Sequence, residues 1–198
     1  MPKVIPEIRD QFIAAARQRL LFSEVHDLTI REIAEDCRTG LGTVYNYFPS
    51  KDELIAEVLF EDWQSLWEDV QKRLPESSHP MQDIEMIYDA LCQFVRKYYP
   101  TMETYTAVAK SMGDIRRYHP AIIEQIAGVI NESLKRYALS VEPYTDIVLA
   151  EMLLGIAIHK KEQFEQIRPI LCRILGVNAS GAGGIRNQTM PGRRTGAF

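Results

Sequence analysis

No CxxC pair, glycine-rich phosphate loop or nucleophile elbow occurs in this 198-residue sequence. Cysteine is scarce. Cys37, Cys92 and Cys172 stand far apart and are odd in number, which excludes a disulfide framework and points to a reduced compartment. The histidines His26, His79, His119 and His159 lack ligand spacing, so no metal is expected. Nor is there a cofactor motif or a residue pair with catalytic spacing, which speaks against an enzyme. The opening MPKVIPEIRDQF has no signal-peptide run, and the longest apolar stretch, Ile147–Ile158, is too short to span a membrane and contains Glu151. The expectation is a cytoplasmic protein with no membrane segment.

Strong basicity is missing as well. The formal charge is −4. Residues 1–54 carry seven basic side chains (Lys3, Arg9, Arg17, Arg19, Arg31, Arg38 and Lys51) against nine acidic ones, and 55–177 carry thirteen against eighteen. That balance excludes the broadly basic body of a nonspecific nucleic-acid binder, although a site-specific one needs only a local positive face. What remains is 46% hydrophobic and 25% charged, a globular composition for one or two domains.

Helical period runs through almost every segment, and clean alternation is absent, so the fold class expected is all-α. Pro6 opens a first helix. Thr29 and Glu32 form a capping-box pair for a two-turn helix to Cys37, with Ile30, Ile33 and Ala34 on its inner face. Ser50 to Glu53 repeats the pattern and starts a long helix that Pro75 ends. Beyond the linker 76–80, prolines punctuate the reading. Pro100 stops one helix, Pro120 opens another, Pro143 sits at the first position of a helix to about Lys161, and Pro169 bends or divides the last amphipathic piece. From Asn178 the chain is glycine-rich and poor in apolar residues, a disordered tail by composition.

Between the two caps lies TGLGTVYNYFPSKDEL, Thr39–Leu54, with glycines, tyrosines and no carboxylate until its end. Two short helices joined by a tight turn make a helix-turn-helix unit. On the second, Gly40 to Tyr47, Val44 and Phe48 face inward. Leu41, Gly42, Thr43, Tyr45, Asn46 and Tyr47 then face outward, as a major groove requires. Glycine admits close approach, Thr43 and Asn46 can bond base edges, and tyrosine hydroxyls and Lys51 can reach phosphates.

These residues carry a resemblance. TIREIAEDCRTGLGTVYNYFPSKDELI resembles the DNA-binding signature of the tetracycline-repressor-like (TetR) family, with Thr29, Ile33, Ala34, Gly42, Thr43, Tyr45, Tyr47, Phe48, Ser50, Lys51 and Leu54 in register. The resemblance implies an N-terminal three-helix DNA-binding domain at 1–54, its last helix continuing to about 74. A helical ligand-binding and dimerisation domain would follow at 55–177, with the tail at 178–198. It also implies a homodimeric repressor on a double-stranded, palindromic operator, released by a small molecule, and DNA contacts from Thr43, Tyr45, Tyr47 and Lys51. The turn departs from the family's Ala-Gly-Val-Ser, reading Cys37-Arg38-Thr39-Gly40. Arg38 in a left-handed position would cost about 1 kcal/mol, which a phosphate contact can offset.

Trp63, Trp67, Tyr88, Tyr98, Met102, Tyr105, Met112 and His119 either line an effector cavity, suited to an apolar or aromatic ligand, or simply fill the core. Ile147, Leu154, Ile158, Ile170 and Ile174 are the candidates for a dimer seam. Glu151, the lone charge in its apolar run, fits either a polar ligand or a basic partner across that seam. Cys37 fits a small core position or a redox switch. The competing function is the same fold acting as a structural or partner-binding, DNA-associated protein without an inducer.

Overall fold

The computed structural model describes residues 6–22, 28–108, 113–159 and 164–178, and their side chains except those of 6, 22 and 99–118. The segment 23–27 and the tail from 179 onward lie outside the described residues. Among those described, the fold is all-α: α1 (Pro6–Phe22), α2 (Ile30–Asp36), α3 (Leu41–Tyr47), α4 (Lys51–Arg73), α5 (Pro80–Val108), α6 (Gly113–Arg136), α7 (Thr145–His159) and α8 (Phe164–Leu175). A 3₁₀ turn, Leu74–Glu76, ends α4 at Pro75.

Two groups of buried apolar side chains organise these helices. The first joins Phe12, Ile13, Ala16 and Leu20 of α1 to Ile33 and Ala34 of α2, Val44 of α3, and Leu54, Ile55 and Val58 of α4. The second begins at Trp63, further along α4, and draws in α5 to α8. At about 1.5 Å per residue α4 is roughly 35 Å long, enough to contribute to both cores. In the second, α7 packs on α5 and α6, and α8 on α5.

One buried charge sits inside this body. Asp83 of α5 is 0% exposed and accepts from Arg136 and Ser133 of α6 and from Ser77. Arg136 also donates to the Leu74 carbonyl, so the end of α4 is held to α6. A buried carboxylate without such donors would cost several kcal/mol.

The prolines interrupt less than their sequence positions suggest. Helix α5 runs through Pro100 to Val108, α6 begins at Gly113 with Pro120 inside it, and α8 continues across Pro169. Pro143 lies in a turn, and α7 starts at Thr145. An interior proline costs about 3 kcal/mol, and burying one or two large apolar side chains on the flanking turns contributes as much. Ile123 and Ile126 do this after Pro120, and Phe164 and Leu171 on either side of Pro169.

Helix ends repeat one device. After α2, the N–H of Arg38 bonds to the Glu35 carbonyl and that of Thr39 to Ala34, with Arg38 at φ 52°. After α6, Ala138 (φ 50°) and Leu139 bond to Lys135 and Leu134 in the same way, and after α8 Gly176 and Val177 bond to Arg173 and Cys172. This is the Schellman closure, which favours glycine at its left-handed position. Only the third has one. Replacing Ala138 with glycine should therefore raise stability by up to about 1 kcal/mol, read as a higher denaturant midpoint with unchanged slope.

Candidate nucleic-acid interface

The helix-turn-helix is built from its caps inward. Thr29 accepts the Glu32 N–H at 3.3 Å while the Glu32 carboxylate accepts the Thr29 N–H at 3.0 Å, the reciprocal box expected from the sequence. Schellman closure at Arg38 then turns the chain, and Gly40, extended at φ −76°, caps α3 without a side-chain bond. Ser50 accepts the Glu53 N–H at 3.2 Å to start α4.

Helix α3 divides as its pattern predicts. Val44 and, just after the helix, Phe48 are buried, whereas Leu41 is 39% and Tyr45 47% exposed, with Gly42 and Asn46 also exposed. Thr43 is half-buried. So is Tyr47, which stacks edge-on against Phe12 at 5.7 Å, so part of its ring belongs to the core. A side chain added at Gly42 would meet nothing within 4 Å, and no left-handed φ requires glycine there. Glycine inside a helix costs about 1 kcal/mol against alanine, so packing within the chain does not account for this one.

Three arginines of this region are paired with carboxylates. Arg9 pairs with Glu57 and Glu61, Arg17 with Glu61 (2.9 Å) and Asp62 (2.6 Å), and Arg19 with Glu32 (3.0 Å) and Asp36 (2.6 Å). The described cations on the helix-turn-helix itself and at the start of α4 are Arg31, Arg38 and Lys51. Cys37 is half-buried, and burial, with the charge of Asp36, pushes its thiol pKa up. A thiol so protonated is poorly suited to redox chemistry and fits the packing reading.

Asp62 joins the two cores. From α4 it accepts Arg17 of α1, Lys97 of α5 at 2.5 Å, and the hydroxyl of Tyr98. Burial by itself would raise its pKa, but the bonds from Lys97 and Tyr98, the charge of Lys97 and the bond from Arg17 hold it below the usual carboxylate range. Burial, then the same contact, pushes the Tyr98 hydroxyl well above an ordinary phenol. No sequence motif marks Asp62, Arg17 or Lys97. The available signal is an acid placed in the apolar register Leu54/Ile55, Val58/Leu59, Asp62/Trp63, Leu66/Trp67.

Of the candidate effector residues, three share one aromatic group. Trp63 and Trp67 are 5.3 Å apart, Phe94 lies 5.0 Å from Trp63, and Tyr98 is 5.1 Å from Phe94. Phe94, the bridging ring, is not among the sequence candidates. Trp63 donates to Gln125 at 2.7 Å, while the buried indole N–H of Trp67 meets no acceptor among the described residues. Tyr88 instead packs on Phe164 of α8. His119 is half exposed and faces Glu151 at 3.4 Å, which places both at the surface rather than among these rings. The side chains of Met102 and Tyr105, and all of Met112, lie outside the described residues. An open depression of about 660 Å³ lies elsewhere, between α1 and the end of α2, lined by residues including Gln11, Gln18, Arg19 and Cys37.

The candidate seam residues divide too. Ile147, Ile170 and Ile174 are exposed, joined by Val148 and Tyr144, whereas Leu154 and Ile158 are half-buried against the second core. No group of His, Cys, Asp or Glu among the described residues is arranged to hold a metal, and no helix there is long and apolar enough to cross a membrane.

A capped helix-turn-helix with a carboxylate-free outer helix face is the kind of arrangement that enters a DNA groove. Residues 12–58 match the bacterial regulatory proteins of the tetR family. Similarity extends to the HTH-type transcriptional regulator HbdR of Aromatoleum sp. (strain CIB), 29% identical over 96 residues, 48% of this chain and 41% of that protein. The HTH-type transcriptional repressor KstR2 of Mycolicibacterium smegmatis is 24% identical over 112 residues, 56% of this chain and 54% of that one. The chain thus spans about half the length of these curated relatives. A transcriptional regulator from Cytophaga hutchinsonii shares the fold at 18% identity and a TM-score of 0.63, over 84% of this chain and 94% of that one. Residues 12–58 thus match the tetR family model, and the curated relatives are named as transcriptional regulators.

The geometry at Asp62 carries its own test. Its lowered pKa gives stability that is complete above about pH 5 and is lost as pH falls through about 4 toward the folded-state value. Asp62→Asn should cost about 2 kcal/mol at pH 7, and the gap to wild type should narrow below about pH 4 in denaturant titrations. Equal stability at pH 7 would remove Asp62 from this role.

Proposed function

We propose that the protein is a site-specific DNA-binding regulator, a homodimeric repressor whose α3 enters the major groove of a near-palindromic operator. The observation that carries this reading is Gly42, a glycine in the first turn of α3, open on the side where the helix presents Leu41, Thr43, Tyr45 and Asn46. Close approach of a duplex accounts for a missing side chain that the fold does not require. In this reading Thr43 and Asn46 bond base edges, and Arg38, Tyr45, Tyr47 and Lys51 hold phosphates.

Homodimerisation is supported by the apolar exposure on α7 and α8, where Ile147, Val148, Ile170 and Ile174 face water in a single chain. Leu154 and Ile158 would sit at the edge of that seam. Two-fold pairing then sets the two α3 helices about one DNA turn apart. An apolar or aromatic effector is supported by the ring group Trp63, Trp67, Phe94 and Tyr98, and the indole N–H of Trp67 would suit an acceptor on that ligand. Tyr98 bonds to Asp62, so a ligand moving the rings would act on the contact that ties α1 to α5. The close packing of the same rings favours a second reading, DNA binding without an inducer. Screening small aromatic molecules for release of bound DNA separates the two.

The DNA reading itself is tested by Gly42→Ala. Filling the open position should stabilise the fold by about 0.5–1 kcal/mol yet weaken binding to duplexes enriched from a random pool; unchanged binding would remove the carrying observation. Lys51→Gln should flatten the salt dependence, by about 0.9 in the log–log slope for each phosphate no longer neutralised. Val148→Glu, at a position 58% exposed, should leave a folded monomer in analytical ultracentrifugation.

A further inference from the structure

We propose that Leu41 reads a thymine in each operator half-site through the 5-methyl group of that base. The inference rests on the DNA-binding reading above and concerns which base edge α3 selects. Helix α3, LGTVYNY, contains no charged residue, so it cannot make the bidentate arginine or lysine contact by which guanine is most often read. Its base readers are neutral.

Among them Leu41 differs in kind. Its side chain has no donor and no acceptor, so a methyl group is the one feature of a base edge in the major groove that it can recognise. It is 39% exposed, and the inward-facing places beside it are filled by Val44 and Phe48. A single exposed leucine is ordinary on a protein surface. Leu41 is set apart by its neighbours. Gly42, next to it, leaves open space, and Tyr45, one turn on, adds a second exposed apolar surface on the same helix. The backbone can therefore come close enough for a short branched side chain to reach a base, with the amide of Asn46 and the hydroxyl of Thr43 further round the same helix. The three together suit a half-site rich in A·T pairs.

Deoxyuridine isolates the methyl, since it keeps every hydrogen bond of thymidine and lacks only that group. Duplexes are first enriched from a random-sequence pool with the full chain. The best duplex is then remade with each thymidine in turn replaced by deoxyuridine. Burial of one methyl is worth about fourfold in affinity, so one position per half-site should weaken wild-type binding by roughly that factor. Leu41→Ala should bind the thymidine and deoxyuridine forms of that position equally, keep its sensitivity at other positions, and match wild type in thermal midpoint. Wild-type binding indifferent to every methyl would overturn the proposal. So would a Leu41→Ala variant that keeps the sensitivity, which would assign the methyl to Thr43 or Tyr45. Failure to enrich any duplex overturns the DNA-binding reading itself, and this inference with it.

Discussion

Asp62 is the constraint on which the relation between the two cores depends. A carboxylate largely removed from water must collect donors, and this one collects them from α1 and α5 while itself standing on α4. Each donor brings its helix to a fixed place. Arg17 orients the helix that backs the helix-turn-helix, and Lys97 and Tyr98 orient the helix that carries the aromatic rings. Apolar packing supplies most of the favourable free energy of such a fold, but it is non-directional. Charge-assisted hydrogen bonds are directional, and three of them on one acid leave few alternative arrangements of α1, α4 and α5. Asp83 plays the corresponding part within the body, holding the end of α4 and α5 to α6.

Legibility in the sequence follows the range of the interaction. The capping box at Thr29, the cap at Ser50, the left-handed position at Arg38 and the inward side of α3 at Val44 are all local, set within four or five residues, and the structure has them where the pattern puts them. Proline misleads for the opposite reason. The local penalty at Pro120 and Pro169 is real, but burial of distant partners outweighs it, and that burial is invisible in a window of neighbours. The aromatic candidates show the same limit. Trp63, Trp67 and Tyr98 come together, yet Tyr88 turns to α8 and His119 to the surface, because composition says what can line a cavity and not which residues converge.

Two positions of the helix-turn-helix work against the stability of the chain. Arg38 holds a backbone conformation that glycine would hold more easily, and Gly42 leaves a helix position that alanine would fill more favourably. Neither is compensated by a contact within the chain that the structure shows. Both flank the exposed side of α3, and at both the residue present suits a negatively charged neighbour: a cation in one place, room for approach in the other.

The pairing of Arg9, Arg17 and Arg19 with carboxylates has a consequence for how the proposed regulator would meet DNA it does not recognise. Beyond about 8 Å, the screening length at physiological salt, a guanidinium beside two carboxylates no longer presents a positive field. Attraction to arbitrary sequence is what lets a protein slide along a duplex, and it grows with the number of phosphates neutralised. Under the proposed function, a head whose arginines are paired in this way would leave random sequence quickly and sample sites by repeated three-dimensional encounter. Occupancy would then be decided by how long it stays at each site, and so by whatever contacts the uncharged, seven-residue α3 makes there.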